Sequence, residues 1–164
     1  MFKKLFKNSC GITLTELVVV MAVLSILASV TMPMYRMTVK RTKEAALRGQ
    51  LRTLRDAIDR YKKLSDEGRI PKEAGGSGYP KTLEDLERQI TLANVVVQTG
   101  QTQQASKVRL LRRVPVDPMT GKAEWGMRSN EDEPESSTWG GQDVFDVYSL
   151  SDGTALDGTK YKDW

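Results

Sequence analysis

The apolar positions of this chain follow two rules in succession. From Leu17 to Met32 no position is charged and most are aliphatic. With Ile12 and Leu14 included, the run reaches about 20 residues, the length a helix needs to cross the hydrocarbon core of a bilayer. Beyond Pro33 the pattern changes. Leu47, Leu51, Leu54, Ile58, Tyr61 and Leu64 recur in steps of three and four, the single stripe of an amphipathic helix, while Arg48, Arg52, Arg55, Asp59 and Lys62 take the other face. The two patterns together predict one helix from Ile12 to Leu64, approaching 80 Å at about 1.5 Å per residue. A bend or local loosening is expected at Pro33, which has no N–H for the ladder. A coiled coil is the alternative for the stripe, which lasts fewer than about three or four clean heptads.

The remainder reads as short elements. Asp66 to Pro80, rich in Gly and Pro, is a loop. Thr82-Leu83-Glu84-Asp85 looks like a helix cap with an acidic third position, opening a short helix to about Ile90. Val95 to Val97 is a brief apolar patch, followed by a polar variable loop. Val108 to Val116 reads as a strand, Asp117-Pro118-Met119-Thr120-Gly121 as a turn, and Ala123 to Arg128 with Trp125 as a second strand. Asn130 to Ser137 is acidic and soft, and Val144 to Leu150 alternates well enough for a third strand. Three short antiparallel strands on one long helix make an α+β domain with the helix as its spine.

Composition narrows the function classes. A chain of 164 residues leaves one domain once an N-terminal helix is set aside. Its formal net charge of +4 hides an asymmetry, because the start and the first helix are basic whereas Asp117 to Trp164 is acidic. The charge is therefore no sign of nucleic acid. Arg48, Arg52 and Arg55 on one helix face are the one feature that favours such a partner, and a solvated face accounts for them better. There is no histidine, and Cys10 is the only cysteine. A disulfide framework is excluded, and a lipoprotein signal fails because its apolar region would have to precede the cysteine. No phosphate loop and no catalytic metal spacing occurs, so an enzyme is not expected.

The start of the chain carries the sharpest signal. Met1 to Gly11 is short, polar and basic through Lys3, Lys4 and Lys7, which favours retention on the cytoplasmic side. Arg36, Lys40, Arg41 and Lys43 flank the other end of the apolar run as strongly, so charge leaves the orientation open. An ordinary secretory signal would be cut near Ala28-Ser29-Val30. A glycine, a glutamate at the fifth position after it (Glu16), an apolar helix and a proline at the twenty-second (Pro33) resemble instead the prepilin N-terminus of type IV pilins and type II secretion pseudopilins. The resemblance implies cleavage between Gly11 and Ile12, N-methylation of Ile12, and a layout of leader (1–11), membrane or filament-core helix (12–34) and periplasmic pilin-like α+β domain (35–164).

Farther on, VPVDPMTG, a Trp-Gly strand, FDVYS and SDGTALDGTKYKDW together resemble the major pseudopilins of type II secretion, the protein G family. That resemblance implies a structural subunit stored in the bacterial inner membrane by a single helix, with its C-terminal domain in the periplasm. Its expected partners are a prepilin peptidase, membrane lipid, further copies in a helical filament, other pseudopilins and an inner-membrane assembly platform; no nucleic acid is expected. A type IV pilus subunit for adhesion, motility or DNA uptake is the other reading. In a filament core Glu16 would need a cation, and the new α-amino group of Ile12 on a neighbour is the available one. Asp152 and Asp157, with Ser149 and Ser151, could form an oxygen cage for calcium, as the family often does in its final loop. The same aspartates could instead make Asx turns beside Gly153 and Gly158.

Overall fold

Thr13 opens the first helix by physical chemistry alone. Its hydroxyl accepts the Glu16 N–H at 3.2 Å and its carbonyl accepts Leu17 N–H at 3.1 Å, the two bonds of an N-cap. The helix that follows, α1 (Leu14–Asp66), has 53 residues and continues through Pro33. The structure, a computed structural model, describes residues 11–72, 75–93, 106–133, 136 and 138–164. Cys10 and the leader lysines, the 95–97 patch and most of the polar loop after it lie outside these residues. The chain divides into two compact units, Met1–Lys40 and Arg41–Trp164.

Within Arg41–Trp164 the stripe of α1 is the spine of the core. Leu47, Leu54 and Ile58 are fully buried and Leu51 nearly so, each side chain contributing about 1.5–3 kcal/mol of burial. They meet Leu86, Leu111, Trp125, Val144, Val147 and Tyr161. Past α1, a short helix α2 (Glu84–Glu87) leads to β1 (Ile90–Thr91), which pairs antiparallel with β2 (Lys107–Val108). A second antiparallel pair, β3 (Gly126–Arg128) and β4 (Asp146–Tyr148), is joined by the acidic loop, and a 3-10 turn at Tyr161–Asp163 closes the chain.

The sheet differs from the three-stranded one expected: among the described residues there are two separate two-stranded pairs. Val108 to Val116 does not run as a strand, because its backbone is claimed elsewhere. Val114 N–H donates to the Glu87 carboxylate, Leu111 N–H to Leu86 O at 2.9 Å, and Pro115 has no N–H to give. The expected helix to Ile90 stops at Glu87, and Ile90 pairs with Val108 instead. Asp85 accepts the Thr82 N–H at 3.1 Å, which is the acidic half of the cap read from the sequence. The Asp117 turn forms as expected. Asp117 Oδ1 accepts Met119 N–H at 2.7 Å, Gly121 takes φ +74°, and buried Oδ2 accepts the Ser149 hydroxyl at 2.6 Å.

Side chains bind the strands to the spine. Arg55 sits on the face expected to be solvated, yet it is half-buried. It forks onto Asp146 at 2.7 and 3.3 Å and also donates to Val147 O and Trp164 O. Gly126 lies under the Tyr148 ring, where an added Cβ would come within 2.3 Å of ring carbon, so only glycine fits opposite Tyr148 in this pair. Glu44, buried on α1, accepts Leu156 N–H at 2.9 Å and the Tyr161 hydroxyl at 3.0 Å, fastening the C-terminal turn to the helix.

That fastening sets a stability test. Burial first, and then the Glu44 carboxylate, push the Tyr161 phenol up to about 12. The folded state thus favours the neutral phenol; its contribution is complete below pH 10 and is lost as pH rises towards about 12. Melting temperature should fall more steeply over that window in the wild type than in Tyr161→Phe. Glu44→Ala, which leaves two donors without an acceptor, should cost about 1–3 kcal/mol in denaturant titration.

Candidate functional site

The unit containing the N-terminus is a helix with no protein cover. Ile26 is 67% exposed and Met21 60%, values far from those of a core helix, and the most apolar 18-residue window of α1 has none of its residues buried. Among the described residues this is the one helix long and apolar enough to cross a membrane. Its polar side chains are already satisfied. Ser25 donates to Met21 O at 2.7 Å, Ser29 to Ser25 O at 2.8 Å and Thr31 to Leu27 O at 2.8 Å. Each hydroxyl proton is returned to the helix that carries it, so none has to be left bare in an apolar medium. Pro33 leaves the Ser29 carbonyl without its usual donor, a local weakness in the ladder rather than a break in it.

Glu16 stands apart as the one charge of this stretch. It is exposed in the first turn of α1, where free N–H groups favour a carboxylate. Thr13-Leu14-Thr15-Glu16 has the spacing of a capping box, a local role beside the two expected of Glu16 from the sequence, pairing in a filament core or a place among lipid headgroups. Gly11 and Ile12 precede the cap outside any regular element and are exposed. Gly11, Ile12 and Glu16 thus fall within six residues at the mouth of the helix, with Pro33 four to five turns on.

The C-terminal aspartates are arranged differently. Asp157 Oδ1 accepts both the hydroxyl of Thr159 at 2.6 Å and its N–H at 3.0 Å, and Oδ2 lies 3.4 Å from Arg48. The two Thr159 bonds, chiefly, and the Arg48 charge hold its carboxyl below the usual range. That is an Asx turn with a cation already beside it, beside Gly158 at φ +90°. Asp152 is exposed. Among the described residues no three His, Cys, Asp or Glu side chains converge on a metal position. As placed, Asp157 already has Thr159 and Arg48 as its partners.

The comparisons with known proteins agree with this division. Residues 6–32 match the family described as the prokaryotic N-terminal methylation motif. Over 146 residues the chain is 29% identical to the type II secretion system core protein G of Pseudomonas aeruginosa, covering 88% of this chain and 84% of that protein. The chain thus resembles the type IV pilin-like proteins in its N-terminal motif and a type II secretion core protein over most of its length. No solved structure matches it. The likeness therefore covers most of the chain as well as its first helix, and the α+β architecture of a long helix with small antiparallel pairs is consistent with it.

Two groups that hold this body together were absent from the sequence reading. Glu44, three residues before Leu47, lies on the buried side of α1. Asp143 lay at the edge of the acidic loop. It is buried, and takes the hydroxyls of Ser77 and Ser129 and the Asn130 N–H, so the described part of that loop is anchored rather than soft.

A metal test follows from the tail. The full chain in detergent should melt at the same temperature in millimolar calcium as in chelator. A rise with calcium that Asp157→Asn removes would show instead that Arg48 and Thr159 yield to the ion.

Proposed function

We propose that this protein is a structural subunit of a type II secretion pseudopilus, cut after Gly11, held in the inner membrane with its C-terminal domain in the periplasm, and polymerised to help move folded proteins through the outer membrane. The observation that carries the reading is the likeness to core protein G over both the helix and the body. The uncovered apolar half of α1 supports the mechanism. Extracted from lipid and packed on copies of itself, such a helix exchanges lipid contacts for helix contacts in a head-to-tail assembly that does not close. Glu16, at the helix mouth, pairs with the new α-amine of a neighbour's Ile12 and sets the axial register. Prepilin peptidase, other pseudopilins and the assembly platform are the partners this reading requires. The second reading, a type IV pilus subunit, is favoured by the methylation motif at 6–32, a signature of the N-terminus alone.

Processing is checked first. Intact mass and N-terminal sequencing of the membrane-extracted protein should give a chain beginning at Ile12, with the added mass of one methyl group. A start after Val30, or retention of Met1, rejects the prepilin reading. Deleting the gene should deplete the secreted protein profile and leave twitching and transformation intact; the converse selects the pilus.

Glu16 is checked second. Glu16→Leu leaves the Ile12 amine without its partner in an apolar core, a loss of about 3–5 kcal/mol for a buried pair. Insertion and cleavage should persist while sheared filaments fall away, and Glu16→Asp should lie between. Wild-type filament yield from Glu16→Leu would remove its role in register.

A further inference from the structure

One side of the last turns of α1 opens on a cavity of about 410 Å³ lined by Arg60, Lys63, Arg69 and Arg109, with Glu67 the one carboxylate among them. None of these four cations forms an ion pair among the described residues. Arg69 is half-buried, and its Nε, cut off from water, finds no acceptor among the described residues. A buried donor of that kind calls for a partner, and four cations against the single carboxylate of Glu67 leave the hollow with an excess of positive charge that a further anion would offset. The chemistry the cavity asks for is a carboxylate-type oxyanion, which a guanidinium fork takes in bidentate fashion.

The same chain carries the complement. Glu131 and Glu133 are exposed, and neither carboxylate pairs among the described residues. Asp132 between them accepts the N–H of Ser129 at 2.7 Å and of Gly140 at 3.0 Å, which fixes the loop and leaves its two neighbours facing solvent. Glu131 lines the cavity reached from Tyr61 and Ser65, a different side of α1 from the one carrying Arg60 and Lys63. Within one molecule the acidic loop and the basic hollow therefore do not meet.

We infer that the basic cavity is the receptor for the Glu131–Glu133 loop of a second copy of this chain. Because donor and acceptor surfaces differ, the contact is heterologous and repeats from copy to copy. The inference rests on the assembly reading above and names the partner surfaces of the globular bodies.

The test uses two differently tagged copies of the full chain, each with Cys10→Ser, one carrying Lys63→Cys and the other Glu131→Cys, oxidised in intact membranes. A disulfide bearing both tags is expected, and none when Lys162→Cys replaces Glu131→Cys. Separately, Arg60→Glu with Lys63→Glu should lower sheared filament yield several-fold, and adding Glu131→Lys with Glu133→Lys in the same chain should restore it. Absence of the cross-link, or reversal without restoration, overturns the inference while Glu16→Leu reports on the assembly reading independently. If inorganic phosphate raises the melting temperature of the full chain, Lys63→Glu removes that rise and the charge swap restores nothing, a free oxyanion is the occupant and the inference is wrong.

Discussion

An α-helix satisfies its own backbone, so it is the one element that can be apolar on every side and still need nothing from the rest of its chain. The first half of α1 uses this freedom completely. No side chain of its apolar window is covered, and its hydroxyls bond the helix that bears them. The protein is incomplete without a second apolar phase around that segment, and membrane and filament are the two phases its reading supplies.

The second half of α1 obeys the opposite constraint. Its stripe is buried under elements too short to stand alone, since two-residue and three-residue strands cannot hold a sheet without a surface to lie on. Polar side chains do the fastening: Arg55 to Asp146 and the last carbonyl, Glu44 to the C-terminal turn, Asp117 to Ser149, Asp143 to Ser77 and Ser129. The helix supplies the rigid body and these bonds hold the loops to it, so the body is ordered with little regular strand.

Periodicity made α1 and its buried stripe legible, because Leu47, Leu51, Leu54 and Ile58 state one period with no competing signal. Likewise the Asp117 turn announced itself through Pro118 and Gly121. The segment from Val108 to Val116 misled, because beyond Val108 Leu110, Leu111 and Val114 pack on the core without pairing as a strand; the decisive acceptor, Glu87, lies 27 residues away. Glu44, Asp143 and the face of Arg55 were illegible for the same reason. Whether a charged side chain is solvent-facing or a buried fastener depends on what the chain brings back to it, and no local pattern records that. At the N-terminus the motif was readable because it is local: Gly11, Ile12 and Glu16 are neighbours in sequence and remain so at the helix mouth.

The back-bonded hydroxyls of Ser25, Ser29 and Thr31 carry a consequence for motion. When the segment moves from lipid to a bundle of like helices, none of those bonds has to be broken or made, so the transfer carries no polar activation cost from the hydroxyls. The surface is then smooth to rotation and axial sliding, with Glu16 as its single notch. Under the proposed assembly, a shaft of that kind would be drawn out of one apolar surrounding and returned to it repeatedly, held only where its one carboxylate meets a charge.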